Sequence, residues 1–216
     1  MPPKVKYPRE LILSAALEIA REKGLDAVVT KEVSKRMGTT VAPIYTAFQN
    51  IEELQQAVMA AAVEKLREYL NAAVSYSPEF KKAGMQMIRF ATEEPKLFQM
   101  IFMREKKDPT DLKSLLENLT VDIGPYLDMI QKDYSISRDN AYQLFSQVWL
   151  HSYSICVLSA TGTCTFSEAE IAQRLGEVFA GMVMLMQSDK MEYCNFEPEK
   201  AKPGDPLKGV FCHLNE

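Results

Sequence analysis

Residues 37–50, MGTTVAPIYTAFQN, decide the fold of this chain because they join two short helical patterns through a glycine. The pattern before the glycine predicts a helix over residues 31–37, and the pattern after it predicts a second helix over residues 41–48. Gly38, Thr39 and Thr40 form the predicted turn between them. Two short helices joined by a three-residue turn are typical of a helix-turn-helix.

Pro43 stands inside the second predicted helix, where a proline is normally unfavourable. With Thr40 as the N-cap, Pro43 is the third helical residue, and its missing N–H has no partner within the helix in any case. The carbonyl that its ring would crowd belongs to Thr39, which lies outside the helix. The proline therefore determines where this helix begins.

Apolar side chains of the two short helices are spaced so that they pack against each other. The predicted clamp is formed by Val33, Met37, Ile44 and Phe48. A preceding helix is predicted over residues 8–23, with Gly24 as its stop, and Thr30 is the predicted cap of the next helix. The side chains of the first helix that are expected to close this small core are Leu11, Ala15 and Ile19.

The start of the second short helix has the residue types of a DNA-reading surface. Its first turn is made of small residues, so its backbone can approach the wall of a groove closely. Val41 and Ala42 can touch thymine methyl groups, and Tyr45 offers a hydroxyl to a phosphate. Because the first turn has no Arg, Gln or Asn for a bidentate base contact, sequence reading is expected to depend on Gln49, threonine hydroxyls, methyl contacts and DNA shape. The candidate DNA-contacting residues are Thr30, Lys31, Thr39, Thr40, Val41, Ala42, Tyr45, Gln49, Lys4 and Lys6.

Charge is distributed unevenly along the chain. The whole sequence carries 25 basic and 29 acidic side chains, and its net charge of −4 alone disfavours a nucleic-acid partner. Residues 1–50 carry eight basic and five acidic side chains, a net charge of +3, which leaves −7 for the remainder. This asymmetry favours an anionic partner for the N-terminal segment. The alternative is an all-α protein-binding or scaffold module in which the hairpin is a capped corner without DNA binding.

Helical periodicity dominates the rest of the chain, and no alternating strand pattern precedes the C-terminal tail. Asn50 is the predicted N-cap of a long helix, and Ser167 with Glu170 forms a capping box before the last one. Residues 189–216, with three prolines and two glycines, are predicted to be an irregular extension. The predicted helices span residues 51–73, 78–92, 95–105, 110–132, 138–160 and 167–187.

The segment over residues 12–54 resembles the N-terminal domain of TetR-family transcriptional regulators, and the likeness covers about residues 8–60. The family pattern has a glycine after helix one, a threonine opening helix two, a glycine turn, a Tyr-x-x-Phe in the recognition helix and a leucine on helix four. Two positions depart from it: Ile51 stands where a phosphate-contacting lysine is usual, and Pro43 where a threonine is more usual. The matching residues are Gly24, Thr30, Gly38, Tyr45, Phe48 and Leu54.

The resemblance implies an all-α chain with an N-terminal three-helix helix-turn-helix DNA-binding domain and a helical C-terminal ligand-binding and dimerisation domain. The expected divisions are residues 1–50, residues 51–188 and the extension at residues 189–216. The implied function is ligand-responsive transcriptional regulation, more often repression, by a homodimer on a palindromic double-stranded DNA operator. Its two recognition helices would lie about one DNA turn apart, roughly 34–36 Å.

The small-molecule effector is expected among the middle helices, and the subunit interface on the wide apolar stripes of the last two. Ordinary core packing is the stronger explanation for each pocket candidate taken singly. Gly176 and Gly181 in the last helix each cost about 1 kcal/mol relative to alanine, and close helix approach would explain them. The pocket candidates are Phe98, Phe102, Met103, Tyr126, Met129, Trp149 and Tyr153. The interface candidates are Phe145, Ser152, Ile155, Ile171, Leu175, Val178 and Met182.

Other functional classes are disfavoured. The sequence has two histidines, no glycine-rich phosphate loop and no recognisable catalytic grouping, so no enzyme and no cofactor are expected. The four cysteines are interpreted as reduced thiols of a cytoplasmic protein. A metal site of Cys194, Cys212 and His213 is disfavoured, because the sequence has no CxxC pair. No membrane partner is expected, since no apolar run reaches the roughly 20 residues of a spanning helix and no signal peptide is recognisable.

Overall fold

The computed structural model describes residues 6–72, 81–105, 108–117 and 122–187, and these ranges contain helices and no β-strand. A short 3₁₀ turn at Leu25–Ala27 follows the first helix. No helix in the same ranges is long and apolar enough to cross a membrane. The helices are α1 (Arg9–Lys23), α2 (Thr30–Arg36), α3 (Ala42–Ala47), α4 (Ile51–Leu70), α5 (Lys81–Glu93), α6 (Pro95–Phe102), α7 (Leu112–Glu117), α8 (Gly124–Tyr134), α9 (Arg138–Ala160) and α10 (Glu168–Gln187).

The first three helices form a small unit, here called the head (residues 6–50), in which α1 packs against both α2 and α3. The predicted clamp is confirmed: three of its members are buried and Met37 packs against them at the edge. Leu11 is wrong as a core residue, because it is half exposed and Ile12 and Ala16 face inward instead. Each large side chain buried here contributes about 1.5–3 kcal/mol. The buried head residues are Ile12, Ala16, Ile19, Ala20, Val28, Val33, Ile44 and Phe48.

The turn between α2 and α3 is held by two backbone hydrogen bonds that close the end of α2. Gly38 N–H donates to the Lys35 carbonyl at 3.2 Å, and Thr39 N–H donates to the Ser34 carbonyl at 3.0 Å. This is the Schellman arrangement, which needs a left-handed residue after the helix. Gly38 supplies it with φ 62°, a conformation that side chains disfavour. The exit direction of the chain into Thr39 is therefore fixed by backbone geometry.

The start of α3 lies one residue later than the sequence predicts. Val41, not Thr40, occupies the N-cap position, and its carbonyl accepts from the amides of Ile44 and Tyr45 at 3.1 and 3.4 Å. Pro43 is therefore the second helical residue, not the third. The reason that the proline is tolerated still holds, because the amide at that position has no partner within the helix.

Two further helix predictions are wrong. Val29 occupies the N-cap position of α2, and no side chain caps this helix, so Thr30 is its first residue and not its cap. The single helix expected over residues 110–132 is two helices, α7 and α8, with Pro125 in the first turn of α8. Proline favours a helix start over a helix interior because it lacks an N–H and crowds the preceding turn.

The last two helices follow their predicted bounds. α9 spans residues 138–160 as expected, and Ser137 caps it by accepting the Asn140 N–H. The capping box before α10 is confirmed, with Ser167 N–H donating to Glu170 at 2.8 Å and Glu170 N–H donating to the Ser167 hydroxyl at 3.2 Å. The predicted extension at residues 189–216 lies outside the described residues.

The remaining helices, α4 to α10, form the body, with α5 at its centre. Four consecutive residues from Met85 to Ile88 are buried, so this turn of α5 is covered on all sides. It packs most extensively against α9. A Cβ atom at Gly84 would lie 2.9 Å from the Ser152 hydroxyl, so glycine permits the close approach of α5 and α9 at this point.

One hydrophobic core runs from the head into the body, because α4 packs against both α1 and α5. The core is continuous across residue 50, where the domain division is expected, and that division stays a prediction. A second apolar cluster joins α8 to parts of α9 and α10. Its buried members are Leu127, Ile130, Ala141, Leu144 and Val183.

An ion pair ties α1 to the start of α6. Glu94 is only 6% exposed, and its carboxylate accepts hydrogen bonds from Arg21 Nε, at 2.8 Å, and from Arg21 Nη2. Arg21 also pairs with Glu18 at 2.9 Å. Hydrogen bonding to Glu94, and then to Glu18, raises the pKa of Arg21, so the guanidinium stays charged. A buried carboxylate that lost this partner would be strongly unfavourable.

Arg21→Ala is predicted to lower the free energy of unfolding by about 3 kcal/mol, because Glu94 would stay buried without its counter-charge. Urea unfolding followed by circular dichroism measures the change. Arg67→Ala is the control, since Arg67 pairs with Glu64 at 3.0 Å on the exposed side of α4. Its expected loss is below about 1 kcal/mol. Equal losses for the two variants would contradict a special role of the Arg21 pair.

Candidate nucleic-acid interface

The outward side of α3 and of the preceding turn carries the residues that the sequence selects for DNA contact. Tyr45 is 53% exposed and Val41 is 42% exposed, so both are available to a partner. Thr40, Ala42 and Gln49 are also exposed, whereas Thr39 is half-buried. The structure therefore places all six residues along one turn-and-helix segment.

The inward side of α3 anchors this segment. Ile44 and Phe48, one turn apart, are both almost completely buried in the core of the head. A helix of six residues has little stability of its own in water, so α3 depends on these tertiary contacts. The orientation of Val41 and Tyr45 is thus set by the burial of their neighbours.

Arg9 holds the C-terminal end of α3 through three kinds of contact. Its Nη1 donates to the carbonyl of Ala47, the last residue of α3, at 2.5 Å. Its Nη2 pairs with Glu53 of α4 at 2.8 Å, and its guanidinium lies 3.8 Å from the ring centroid of Phe48. A cation is favourable both at a helix C-terminus and over an aromatic ring. Arg9 therefore connects α1, α3 and α4 at one point.

Glu53 continues this network into the start of α4. Its carboxylate accepts the Gln49 N–H at 2.7 Å, while its own N–H donates to the Asn50 side chain at 2.7 Å. The predicted Asn50 cap is confirmed by this second bond. The bond from Gln49, followed by that from Arg9, lowers the pKa of Glu53 and favours its ionised form. The backbone where α3 ends is thus fixed on both sides.

The N-terminal segment lies beside the turn that precedes α3. The Thr39 side chain hydrogen-bonds with the Tyr7 phenol, and this bond is the main cause of a lowered Tyr7 pKa. Lys6 Nζ lies 5.5 Å from the centroid of the Tyr7 ring. A cation of the predicted basic arm is therefore close to the turn, whereas Lys4 lies outside the described residues.

The start of α2 presents the other predicted phosphate contacts. Lys31 is exposed and Thr30 is half-buried at the first turn of this helix. Ile51, at the first position of α4, packs against the core and offers no charge there. The cation beside the first turn of α4 is Arg9, through its pair with Glu53.

Four effector candidates form an aromatic cluster between α6 and α9. The ring centroids of Phe98 and Phe102 are 5.0 Å apart, and the Tyr153 hydroxyl donates to the Phe102 carbonyl at 3.0 Å. Trp149 stacks on Tyr153 with centroids 5.2 Å apart. Phe98 is completely buried, so at least this ring is part of the packed core.

The other effector candidates lie elsewhere. Met103 follows the end of α6 and is exposed. Tyr126 and Met129, on α8, belong to the second apolar cluster, where Tyr126 lies 6.1 Å from Phe145 by ring centroids. The structure thus divides the seven candidates between two apolar clusters and one exposed position.

The interface candidates are placed mostly within the protomer. Phe145, Val178 and Met182 are half-buried, and the first and last of these pack in the second cluster. Periodicity alone does not distinguish a stripe that faces the chain's own core from one that faces a partner. Four of the candidates are buried in the protomer and face its own helices: Ser152, Ile155, Ile171 and Leu175.

Sequence reasoning missed Arg9 and Tyr7. Arg9 contacts residues 38 and 44 positions away, and no local pattern marks such a contact. Tyr7 lies beside the lysines of the predicted basic arm, and its contact with Thr39 becomes visible only in the folded head.

Arg9→Ala is predicted to speed amide hydrogen exchange at Phe48 and Gln49 about tenfold, because the end of α3 would open more easily. Exchange followed by NMR measures this. Lys23→Ala is the control, because it also removes one positive charge from α1, where Lys23 pairs with Glu32 of α2 at 3.8 Å. If both variants exchange alike at these two amides, Arg9 does not hold α3.

Comparison with known proteins gives an independent view of this region. A search of curated proteins found no match to the chain. The sequence profile described as bacterial regulatory proteins, tetR family, matches residues 12–58, which run from α1 through the helix-turn-helix into α4. The matched range contains the buried anchors and the exposed segment of α3. Residues 12–58 therefore match the N-terminal helix-turn-helix domain of the TetR family, and this match supports a DNA-binding transcriptional regulator.

Proposed function

We propose that this chain is a regulator of the TetR family that acts as a homodimeric, ligand-responsive repressor on a palindromic DNA operator. The observation that carries the proposal is the outward presentation of Val41 and Tyr45 on a helix whose other side is locked into the head. A recognition helix held in this way can enter the major groove with its N-terminal residues against base edges.

Recognition in this proposal depends on close approach more than on long polar side chains. The exposed first turn of α3 offers a hydroxyl at Thr40 and methyl groups at Val41 and Ala42, which suit thymine methyls and base edges. Tyr45, Lys31 and Lys6 would bind phosphates, which fixes position without reading sequence. Such an interface holds its register firmly and discriminates between bases modestly.

Two glycines of α10 support the proposal that a helix of a second copy packs against α10. A Cβ atom at Gly176 or Gly181 would have no atom within 4 Å, so packing within the described protomer does not require either glycine. Each glycine still costs about 1 kcal/mol relative to alanine inside a helix. Ala180 and Met184 are exposed on the same helix, and Met184 is 71% exposed. A second copy packed closely on this side would explain both the small residues and the exposed methionine.

The connection between α1 and α6 supports the proposal that ligand binding in the body changes the DNA affinity of the head. Glu94, at the start of α6, holds Arg21 of α1, while Phe98 and Phe102 of the same helix belong to the aromatic cluster of the body. A ligand that changed the position of α6 would therefore act directly on the head. Such a ligand alters DNA affinity only if it binds one arrangement of the two heads better than the other.

Tyr45→Phe is predicted to weaken binding to all operator variants by a similar factor, about tenfold, because it removes a contact to phosphate. Val41→Ala is predicted to change the preference among variants that differ at single thymines, because it removes a methyl contact. Fluorescence anisotropy with duplexes from the promoter of the chain's own gene measures both.

Thr46→Ala is the control for these variants, since Thr46 is exposed on α3 but its hydroxyl donates to the Ala42 carbonyl at 3.0 Å. Its expected effect on DNA affinity is less than about threefold. A uniform loss across operator variants for Val41→Ala would contradict its base-reading role. An unchanged affinity for Tyr45→Phe would contradict the phosphate contact.

Met184→Glu is predicted to give monomers in sedimentation velocity and to weaken operator binding, because each half-site would be bound separately. The control is Leu11→Glu, which places the same charge on a half-exposed leucine of the head. This control is expected to remain a dimer. A dimer of unchanged stability in Met184→Glu would contradict an interface on the exposed side of α10.

A further inference from the structure

Gln86 is an anomaly in the interior of the body. It is completely buried in the middle of α5, and neither its Nε2 nor its Oε1 has a hydrogen-bond partner among the described residues. A buried polar group without a partner is unfavourable by about 1–3 kcal/mol. Most buried polar groups in folded proteins therefore have one.

The other polar residues that are buried as whole residues in the described ranges all have partners, whereas single buried atoms without a partner also occur on the half-buried Tyr142 and His151. Ser34, Ser146 and Ser152 each donate to a carbonyl of their own helix, at 2.8–3.0 Å. Glu94 is held by Arg21. Gln86 is thus the one member of this group whose hydrogen-bonding capacity is unused.

The other buried residues of α5 are all apolar. Its neighbours on α5 are Met85, Met87 and Phe90, all of them buried. The only charged side chain that is buried in the described residues is Glu94, whose charge Arg21 already balances. A ligand with a net charge would find no free counter-charge buried in this part of the body, and burying it would be strongly unfavourable.

One of these other unpartnered atoms belongs to His151, on the helix that packs most extensively against α5. The Gly84 and Ser152 positions meet closely, as the 2.9 Å approach shows. Gln86 follows Gly84 by two residues, and His151 directly precedes Ser152, so both lie within one helical turn of this contact along the chain, but their side chains point to other sides of α5 and α9 than Gly84 and Ser152 do. The Nε2 atom of His151 is also buried without a partner. Trp149 and Tyr153 of the aromatic cluster flank the same stretch of α9.

We propose that Gln86 is the hydrogen-bonding anchor of the ligand site in the body, and that this site takes an uncharged, amide-like molecule on an apolar frame. A carboxamide offers one acceptor and two donors, so its complement is a group with both a donor and an acceptor. The buried methionines and Phe90 of α5 suit an apolar frame. This inference rests on the ligand response proposed above and adds the chemistry of the ligand.

Four probes that share a benzene ring and differ in the attached group test this chemistry. They are benzamide, benzoate, benzylamine and toluene, added separately at millimolar concentration to the full-length wild-type chain at pH 7. Benzamide is expected to raise the melting temperature most, because it alone is uncharged and offers both a donor and an acceptor. A larger rise with benzoate or benzylamine, or no rise with any probe, would overturn the proposal. This ranking needs no variant to fold.

The variant Gln86→Met tests whether Gln86 binds the ligand or is only a residue of the packed core. Without a probe, the melting temperature of this variant is expected to rise by about 2–4 °C, because a polar group without a partner is replaced by an apolar one of similar size. Its affinity for benzamide, measured by calorimetry, is expected to fall about tenfold. A lower melting temperature without a probe, or an unchanged benzamide affinity, would overturn the role of Gln86.

Gln99→Met is the matched control, because the Gln99 amide donates to the Ala160 carbonyl at 2.6 Å. This variant is expected to lose stability and to keep its affinity for benzamide. Promoter binding is measured on the same samples without a probe. If no protein binds the promoter, the proposed function fails while the ligand result still stands; if all bind it but the probes fail, only the ligand inference falls.

Discussion

The whole interface depends on the anchoring of one six-residue helix. α3 is too short to persist by itself, and the outward position of Tyr45 exists only because Ile44 and Phe48 are buried. Arg9 then closes the end of this helix by contacting its last carbonyl and the Phe48 ring. At the other end, the glycine turn fixes the direction from which the chain enters. The candidate DNA-contacting residues are thereby presented on a rigid element, as selective recognition requires.

The same anchoring connects the head to the body. α1 covers α3, and its Arg21 reaches the buried Glu94 at the start of α6. The apolar core is continuous through α4, so the head does not have a separate interior. A structural change among the aromatic rings of α6 and α9 would therefore reach α1 through packed contacts. This arrangement favours a regulator in which ligand binding and DNA binding are energetically coupled.

The sequence predicts the elements far better than it predicts their contacts. The glycine turn, the Asn50 cap and the Ser167 capping box are predictable from the sequence, because each of these depends on residues close in sequence. Pro125 is also a local signal, since a proline within the span 110–132 argues for a helix start, and α8 begins there. The roles of Arg9, Arg21 and Gln86 depend on residues far away in the chain or on complete burial. Periodicity also could not tell which apolar stripes of α9 and α10 face the protomer's own core.

The measurement that tests the central claim most directly is the salt dependence of DNA binding by the wild-type chain. Affinity for the promoter of its own gene is compared with affinity for a random duplex at two salt concentrations, about 50 and 200 mM. Tighter binding to the promoter is expected, with a steep loss of affinity as salt rises, by a factor of about 10³ for six phosphate contacts shared by two heads. No measurable binding to either duplex at the lower salt would contradict the account and favour a protein-binding module.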